Sequence, residues 1–219
     1  TMRIHLSVSA PKNPLPFDHQ HLLVGTIHKW IGWNEEHGKV SLYSFSRLEG
    51  GKKIKTGLLF ENGASFFFSS YHPDLIKKLI DGIQADRTMF NGLEVSEILM
   101  QEDPDFNGRE LFFPGSPVFI KRKNEERVDH ILYNDPKAGL YLKETLLTKM
   151  KQAGLKDETI EISFDTHYRK AGSKMVTYNG IKNKASWCPV LIKCKPETKL
   201  FAWNVGLGNS TGIGFGAII

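Results

Sequence analysis

The order of strand-like and helix-like segments is the same in the two halves of this chain. In the first half, apolar and polar residues alternate over residues 2–9, which predicts a strand, and apolar residues recur at helical spacing over residues 19–33. Asn62-Gly63 predicts a hairpin turn leading into a further strand. The other predicted elements of this half are strands at 41–48, 55–60, 64–69 and 93–100 and a helix at 73–83.

The second half repeats this order less regularly. Its predicted elements are strands at 117–121, 159–164, 187–194 and 215–219 and helices at 138–152 and 196–204. No linker or low-complexity run separates the halves. The simplest architecture is α+β, with two tandem ferredoxin-like (RRM-like) units over residues 1–113 and 114–219 and a glycine-rich loop near the C-terminus.

The composition is that of an ordinary globular protein, with 40% hydrophobic and 24% charged residues. The sequence contains no signal-like apolar segment and no apolar run long enough to cross a bilayer, so we expect a cytoplasmic protein without a membrane partner. Two cysteines, Cys188 and Cys194, are too few for a disulfide framework or a zinc site, and we expect them to be reduced thiols.

Positive charge is concentrated in the second half of the chain. Residues 1–113 contain 12 Lys and Arg against 14 Asp and Glu, a net charge of −2. Residues 114–219 contain 17 against 10, a net charge of +7. A basic half of this kind indicates a polyanionic partner, although charge by itself does not identify the partner.

The stretch over residues 166–196 contains no acidic residue. Tyr168, Tyr178 and Trp187 lie between its cations. Lys and Arg neutralise phosphates and aromatic rings stack on bases, so the stretch suits nucleic-acid binding. The alternative is a solvated basic hairpin with its aromatic residues in the core, and for Trp187 the core is the more common location. We expect RNA contacts from the cations Arg169, Lys170, Lys174, Lys182 and Lys184.

Residues 206–216 contain five glycines in eleven positions. Glycine permits positive φ and lets backbone N–H groups approach a phosphate closely. We do not expect a dinucleotide-binding fold, which needs a long helix after the glycines where this sequence has only Ala217, Ile218 and Ile219. A P-loop is excluded because no Gly-Lys-Ser/Thr is present. A plain loop beside an edge strand is the alternative. We expect nucleic-acid contacts from Gly206, Gly208, Asn209, Ser210, Gly214 and Gly216.

Several histidines cluster in and after the first predicted helix. His21 and His28, seven residues apart, share a helix face, and His37 follows the helix. Histidine exchanges protons near neutral pH, and RNA supplies its own nucleophile, the 2′-OH, so its cleavage needs only a base, an acid and charge stabilisation. His19 and His21 are better assigned to surface or core positions. A two-metal nuclease site is the weaker interpretation of these histidines.

The chain resembles the CRISPR repeat-processing endoribonucleases of the RAMP superfamily over nearly its whole length. The superfamily signature, Gly-x-Gly, five residues, then Gly-Phe-Gly, is present as Gly206-Leu207-Gly208 and Gly214-Phe215-Gly216. Further similar segments are HLLVGTIH at 21–28, SLYSFSRL at 41–48, GLLF at 57–60, residues 64–70, PDLI at 73–76, FNG at 106–108 and SPV at 116–118.

The resemblance implies two tandem ferredoxin-like folds and metal-independent cleavage of precursor CRISPR RNA, which leaves a 2′,3′-cyclic phosphate and a 5′-hydroxyl. It implies His37 as general acid, His28 as base or as the group that positions the 2′-OH, and Lys39 as stabiliser of the transition-state charge. It implies no cofactor. It further implies repeat RNA as partner and transfer of the product to a CRISPR effector complex. We expect a monomer or a homodimer.

Two other functions remain open from sequence. A non-catalytic RAMP subunit that binds guide RNA would share the glycine segment without needing the histidines. A small-molecule enzyme could hold a nucleotide in the glycine segment, and it would bind mononucleotides without salt-sensitive RNA binding.

Overall fold

The first half of the chain forms a four-stranded antiparallel sheet against which two helices pack. The computed structural model describes residues 2–32, 40–125 and 127–219. The elements are β1 (Met2–Val8), α1 (Gln20–Ile31), β2 (Tyr43–Phe45), β3 (Lys52–Ile54), β4 (Gly57–Leu59), β5 (Ala64–Ser70), α2 (Pro73–Ala85) and β6 (Val95–Gln101). The sheet order β2-β5-β1-β6 is that of a ferredoxin-like unit, with β3 and β4 as a separate hairpin.

The second half builds a related sheet with the order β10-β13-β7. Its elements are β7 (Leu111–Phe112), β8 (Ile120–Lys123), β9 (Val128–Ile131), α3 (Ala138–Gln152), β10 (Glu161–Phe164), β11 (Gly172–Tyr178), β12 (Ile181–Trp187), β13 (Val190–Lys193) and α4 (Pro196–Val205). Ile218 forms an isolated bridge to Pro114, next to β7, in the place of the fourth strand. The predicted tandem ferredoxin-like class is therefore confirmed.

Local sequence accounts for several element boundaries. Pro73 and Pro196 each stand at the first turn of a helix, where a missing N–H costs nothing. Gly32, with φ of 62°, follows α1, which ends at Ile31, two residues before the predicted end. The predicted helix over residues 138–152 has the observed bounds of α3.

Several strand predictions were wrong in detail, and the strand predicted over 187–194 in fact spans the end of β12 and all of β13. The turn at Asn62-Gly63 does not join paired strands, because β4 pairs with β3 and β5 pairs with β1 and β2. The strand predicted over 215–219 is reduced to the single bridge at Ile218, and the one predicted over 41–48 is only three residues long. At the turn, a tertiary contact decides the pairing, since the backbone of Leu58 in β4 hydrogen-bonds to Leu15 instead of to β5.

Each half has its own apolar core, and a small third cluster of Phe119, Ala185 and Phe215 lies in the second half. Ser44 of β2 donates to the carbonyl of Asn204 at 3.0 Å, which joins the first sheet to α4. The division at residue 113 stays a prediction, and β7, which precedes it, pairs within the second sheet. Among the described residues, none of the helices combines the length and the apolar character that a membrane span requires.

Candidate active site and nucleic-acid interface

The glycine segment, residues 206–216, connects α4 to the last bridge and contacts both halves on the way. A 3₁₀ turn at Thr211–Ile213 lies against β2 and α1. Gln20 Nε2, at the start of α1, donates to the carbonyl of Ile213 at 2.9 Å. The segment that carries the superfamily signature is thus placed beside the helix that carries His28.

Most glycines of this segment are required by packing inside the protein. Gly206, Gly208, Gly214 and Gly216 have φ between 69° and 91° and are buried. A Cβ at Gly208 or Gly216 would collide with the carbonyl oxygen of Phe119 or Leu207, respectively.

The N–H groups of three of these glycines are engaged within the protein. They donate to carbonyl oxygens as follows: Gly206 to Ala202 at 2.8 Å, Gly214 to Thr211 at 3.2 Å and Gly216 to Pro117 at 2.8 Å. A nucleotide cradled by these three groups would have to displace those bonds. RNA contact through the glycines stays a prediction.

A buried lysine that the sequence analysis missed holds the start of the glycine segment. Lys149 is 1% exposed, and its Nζ donates to the carbonyls of Val205 and Gly206 at 2.8 and 3.1 Å and to Thr211 Oγ1 at 3.1 Å. These bonds cap the carboxyl end of α4. A signal for this was present, because Lys149 lies seven positions after Leu142 and so on the apolar side of α3.

His28 lies where α1, β2 and the glycine segment meet. It is half-buried, and its Nε2 is 3.5 Å from the hydroxyl oxygen of Tyr43. That hydroxyl donates to the carbonyl of Gly212 at 3.3 Å, and the Tyr43 ring stacks on Phe68. Because the hydroxyl proton is directed to Gly212, the Tyr43 oxygen can accept from a protonated Nε2 and so orient the imidazole.

The other two predicted catalytic residues, His37 and Lys39, lie outside the described residues. Among residues 2–32, 40–125 and 127–219, no three His, Cys, Asp or Glu side chains come together as a metal-binding group. Cys188 and Cys194 are free thiols, and burial raises their pKa values to about 11 and about 12.

His19 and His21 have partners within their own turn of chain. His19 Nδ1 is 2.9 Å from the carbonyl of Pro16, and its ring stacks on Phe90. Burial lowers the pKa of His19, which favours the neutral ring at pH 7. His21 is exposed, with Nδ1 2.8 Å from the carbonyl of Asp18.

A polar cleft of about 350 Å³, which we name the α3 cleft, opens beside the glycine segment. Its walls are Val40, Ser41, Lys121, Arg122, Thr145, Thr148, Lys149 and residues 208–211. Of the predicted RNA-binding residues it brings together Gly208, Asn209 and Ser210. Asn209 Oδ1 accepts from the backbone N–H of Lys121 at 2.9 Å. Lys121 and Arg122 are cations that the sequence analysis missed, because they lie on a short hairpin, β8–β9, outside the acid-free stretch.

The acid-free stretch forms the hairpin β11–β12, which turns at Asn179-Gly180. Strand alternation places Lys182 and Lys184 on one face with Met175, and all three are exposed. The remaining predicted cations, Arg169, Lys170 and Lys174, are also exposed. Contact of these cations with RNA stays a prediction.

The aromatic residues of the hairpin pack against the protein. Tyr178 packs on the first core, and Arg47 covers the Trp187 ring at 4.1 Å from its centroid. Neither ring is a bare platform for a base.

Comparison with known proteins gives a family match and several similar structures. Residues 101–218 match the family model "CRISPR associated protein Cas6, C-terminal". No curated protein matches the sequence. Three solved structures each align with 100% of this chain at a TM-score of 0.83 to 0.85.

The first structure is described as "CRISPR associated protein Cas6", with 20% identity, 98% of its own chain covered and a TM-score of 0.83. A Cas6-related protein from Pyrococcus furiosus has 19% identity, 97% coverage and a TM-score of 0.85. A RAMP protein described as binding different RNA substrates has 19% identity, 98% coverage and a TM-score of 0.83. At these identities the likeness shows the fold.

Proposed function

Because this chain belongs to the Cas6 family of CRISPR-associated proteins, as the match over residues 101–218 shows, we propose that it binds CRISPR repeat RNA and cuts precursor CRISPR RNA without a metal. The observation that carries catalysis is the position of His28, whose Nε2 lies 3.5 Å from Tyr43 Oη beside the glycine segment. The imidazole of His28, in the first half, thus lies near the glycine segment, which belongs to the basic second half.

The proposed reaction uses the RNA's own nucleophile. The 2′-OH attacks the adjacent phosphorus, its proton passes to a base, and the P–O5′ bond breaks as an acid protonates the leaving 5′-oxygen. The products are a 2′,3′-cyclic phosphate and a 5′-hydroxyl. We assign His28 as base or as the group that positions the 2′-OH, His37 as acid and Lys39 as stabiliser of the phosphorane charge.

RNA binding is assigned to the second half. The α3 cleft supplies Lys121 and Arg122 beside Asn209 and Ser210, and the hairpin β11–β12 supplies exposed lysines at Lys182 and Lys184. We expect these cations to neutralise phosphates of the bound RNA. The product would stay bound for transfer to an effector complex.

The testing experiment is cleavage of a labelled cognate repeat RNA in EDTA by wild type, His28→Ala, His37→Ala and His21→Ala. We expect wild type and His21→Ala to cut at similar rates, since His21 is exposed on the same helix. His37→Ala and His28→Ala should each lose roughly 10²- to 10⁴-fold in rate, the usual contribution of acid–base catalysis.

RNA with a 2′-deoxy sugar at the scissile nucleotide should bind and resist cleavage. Cleavage of that RNA, or cleavage that requires added metal, would contradict the proposed mechanism. Wild-type protein that binds the repeat without cutting it would favour the second candidate, a non-catalytic RNA-binding subunit. That candidate is supported because the glycine segment and the basic hairpin lie within the matched residues 101–218, whereas His28 and His37 lie outside them.

A further inference from the structure

A second cleft, of about 420 Å³, has Gly214 of the glycine segment in its wall. It lies between the start of α1, the hairpin β3–β4 and strand β11, and we name it the Phe17 cleft. The residues of its wall that matter here are Phe17, Gln20, Arg47, Lys53, Lys174 and Met175. Both halves of the chain therefore contribute to it.

The cleft has an exposed aromatic ring at its edge. Phe17 is 53% exposed and Met175 is 57% exposed, although both are large apolar side chains. Exposed apolar groups that line a concave site are a feature of binding surfaces. A flat ring in such a position suits stacking by an unpaired base, because every nucleobase has a flat aromatic face.

The charge of the cleft matches a phosphate-bearing ligand. Lys53 Nζ lies 5.6 Å from the centroid of the Phe17 ring, and Lys174 is exposed on β11. Over the residues that the structure describes, neither lysine forms a salt bridge. Glu49 also lines the cleft, but Arg47 Nε holds its carboxylate at 2.7 Å.

We propose that the Phe17 cleft is a nucleotide pocket that takes one unpaired nucleotide of the bound RNA. The base stacks on Phe17, and Lys53 and Lys174 neutralise the adjoining phosphates. The proposal rests on the proposed function in so far as RNA is the ligand.

The position of the pocket gives it a role in choosing the cleavage site. Gln20 lines the pocket and His28 lies eight residues further along α1, which is roughly 12 Å at 1.5 Å per residue. The helix is held against the glycine segment by the Gln20–Ile213 bond. A nucleotide seated on Phe17 therefore sets which phosphodiester reaches His28.

The test measures binding of fluorescein-labelled repeat RNA whose scissile nucleotide is 2′-deoxy, so that binding is separated from cleavage. The proteins are wild type, Phe17→Ala, Phe17→Trp and Leu99→Ala, the last being a 53%-exposed side chain on β6, outside the pocket. Each protein is titrated with intact RNA and with RNAs that lack one base at a time.

We expect Phe17→Ala to weaken binding of intact RNA by roughly 5- to 150-fold, the usual range for loss of one base–aromatic stack. At one RNA position, removal of the base should weaken wild-type binding by a similar factor and add nothing in Phe17→Ala. Phe17→Trp and Leu99→Ala should bind like wild type.

The proposed pocket would be contradicted if Phe17→Ala bound the RNA as tightly as wild type. It would also be contradicted if, at every RNA position, removal of the base weakened binding to Phe17→Ala by the same factor as binding to wild type. Wild-type protein that binds no repeat RNA would also overturn it. A protein that shows the expected coupling but does not cut all-ribose RNA would support the pocket and contradict the proposed endonuclease.

Discussion

At the scale of single residues, a buried arginine joins the first strand to the end of the chain. Arg3 is 1% exposed, and its Nε donates to Ser69 Oγ at 2.6 Å. Its Nη2 donates to the carbonyls of Trp203 and Ile218 at 2.7 and 2.8 Å. The guanidinium lies between the rings of Phe67 and Trp203, 3.8 and 3.4 Å from their centroids. Burial, with the nearby charge of Arg109, lowers the pKa of Arg3.

Replacement of the Arg3 guanidinium, even by another cation, should destabilise the protein. In Arg3→Lys, a single ammonium cannot reach three separated acceptors or stack between two rings. A buried acceptor left without a donor costs about 1–3 kcal/mol, so we expect a loss of at least about 2 kcal/mol in the free energy of unfolding, measured in urea. Arg87→Lys, an exposed control, should change stability by less than about 0.5 kcal/mol. Equal stability of Arg3→Lys and wild type would show that the guanidinium is dispensable.

At the scale of elements, one carboxylate organises the start of α4. Asp157 Oδ2 accepts from the backbone N–H of Lys195 at 3.2 Å and from Thr198 Oγ1 at 2.6 Å. Its Oδ1 accepts from the N–H and hydroxyl of Thr159 at 2.9 and 2.7 Å. The cap position of α4, Lys195, makes no side-chain capping bond of its own. A distant carboxylate thus satisfies donors at the helix start.

The capping carboxylate should give stability a defined pH dependence. Burial raises the pKa of Asp157, but the hydrogen bonds from Thr198, Thr159 and Lys195 outweigh it and lower the pKa to about 2, against 3.8 ordinarily. The stabilisation is therefore complete above pH 3.8 and is lost as pH falls towards 2. We expect Asp157→Asn to cost roughly 2 kcal/mol at pH 7, by urea unfolding.

Below pH 3.8 the difference between wild type and Asp157→Asn should narrow. Asp81→Asn, an exposed site on α2, serves as the control and should match wild type throughout. A difference for Asp157→Asn that stays constant from pH 7 to pH 3 would show that the carboxylate charge contributes nothing.

The elements also show what local sequence can and cannot predict. Helix α3 could be predicted to its last residue because its apolar spacing is local. The acid-free stretch that contains Lys182 and Lys184 is likewise a local feature of the sequence. The partners of Arg3 lie 66, 200 and 215 positions away, so its role could not be predicted. Tyr43 beside His28 was missed for the same reason, since its contact with Gly212 spans 169 positions.

At the scale of the whole molecule, the two halves differ in sign of charge. The first half carries −2 and the second +7, and the exposed lysines of β11–β12 stand on the positive side. Released counterions make binding of a polyanion salt-dependent, so the number of lysines on phosphates can be counted from salt titrations. The distribution of charge predicts that the lysines of β11–β12 are among those that contact RNA phosphates.

Two double variants with the same loss of charge separate specific placement from net charge. Lys182→Ala with Lys184→Ala removes the exposed hairpin face, and Lys77→Ala with Lys78→Ala removes two exposed lysines of α2. For the hairpin variant, the plot of log K against log salt concentration should become less steep. The magnitude of its slope should decrease by roughly 0.7 per lost phosphate contact on single-stranded RNA, about 1.4 for the two lysines. The α2 variant should keep the wild-type slope. An equal loss of slope in both variants would mean that net charge alone attracts the RNA and that the hairpin β11–β12 is not its binding site.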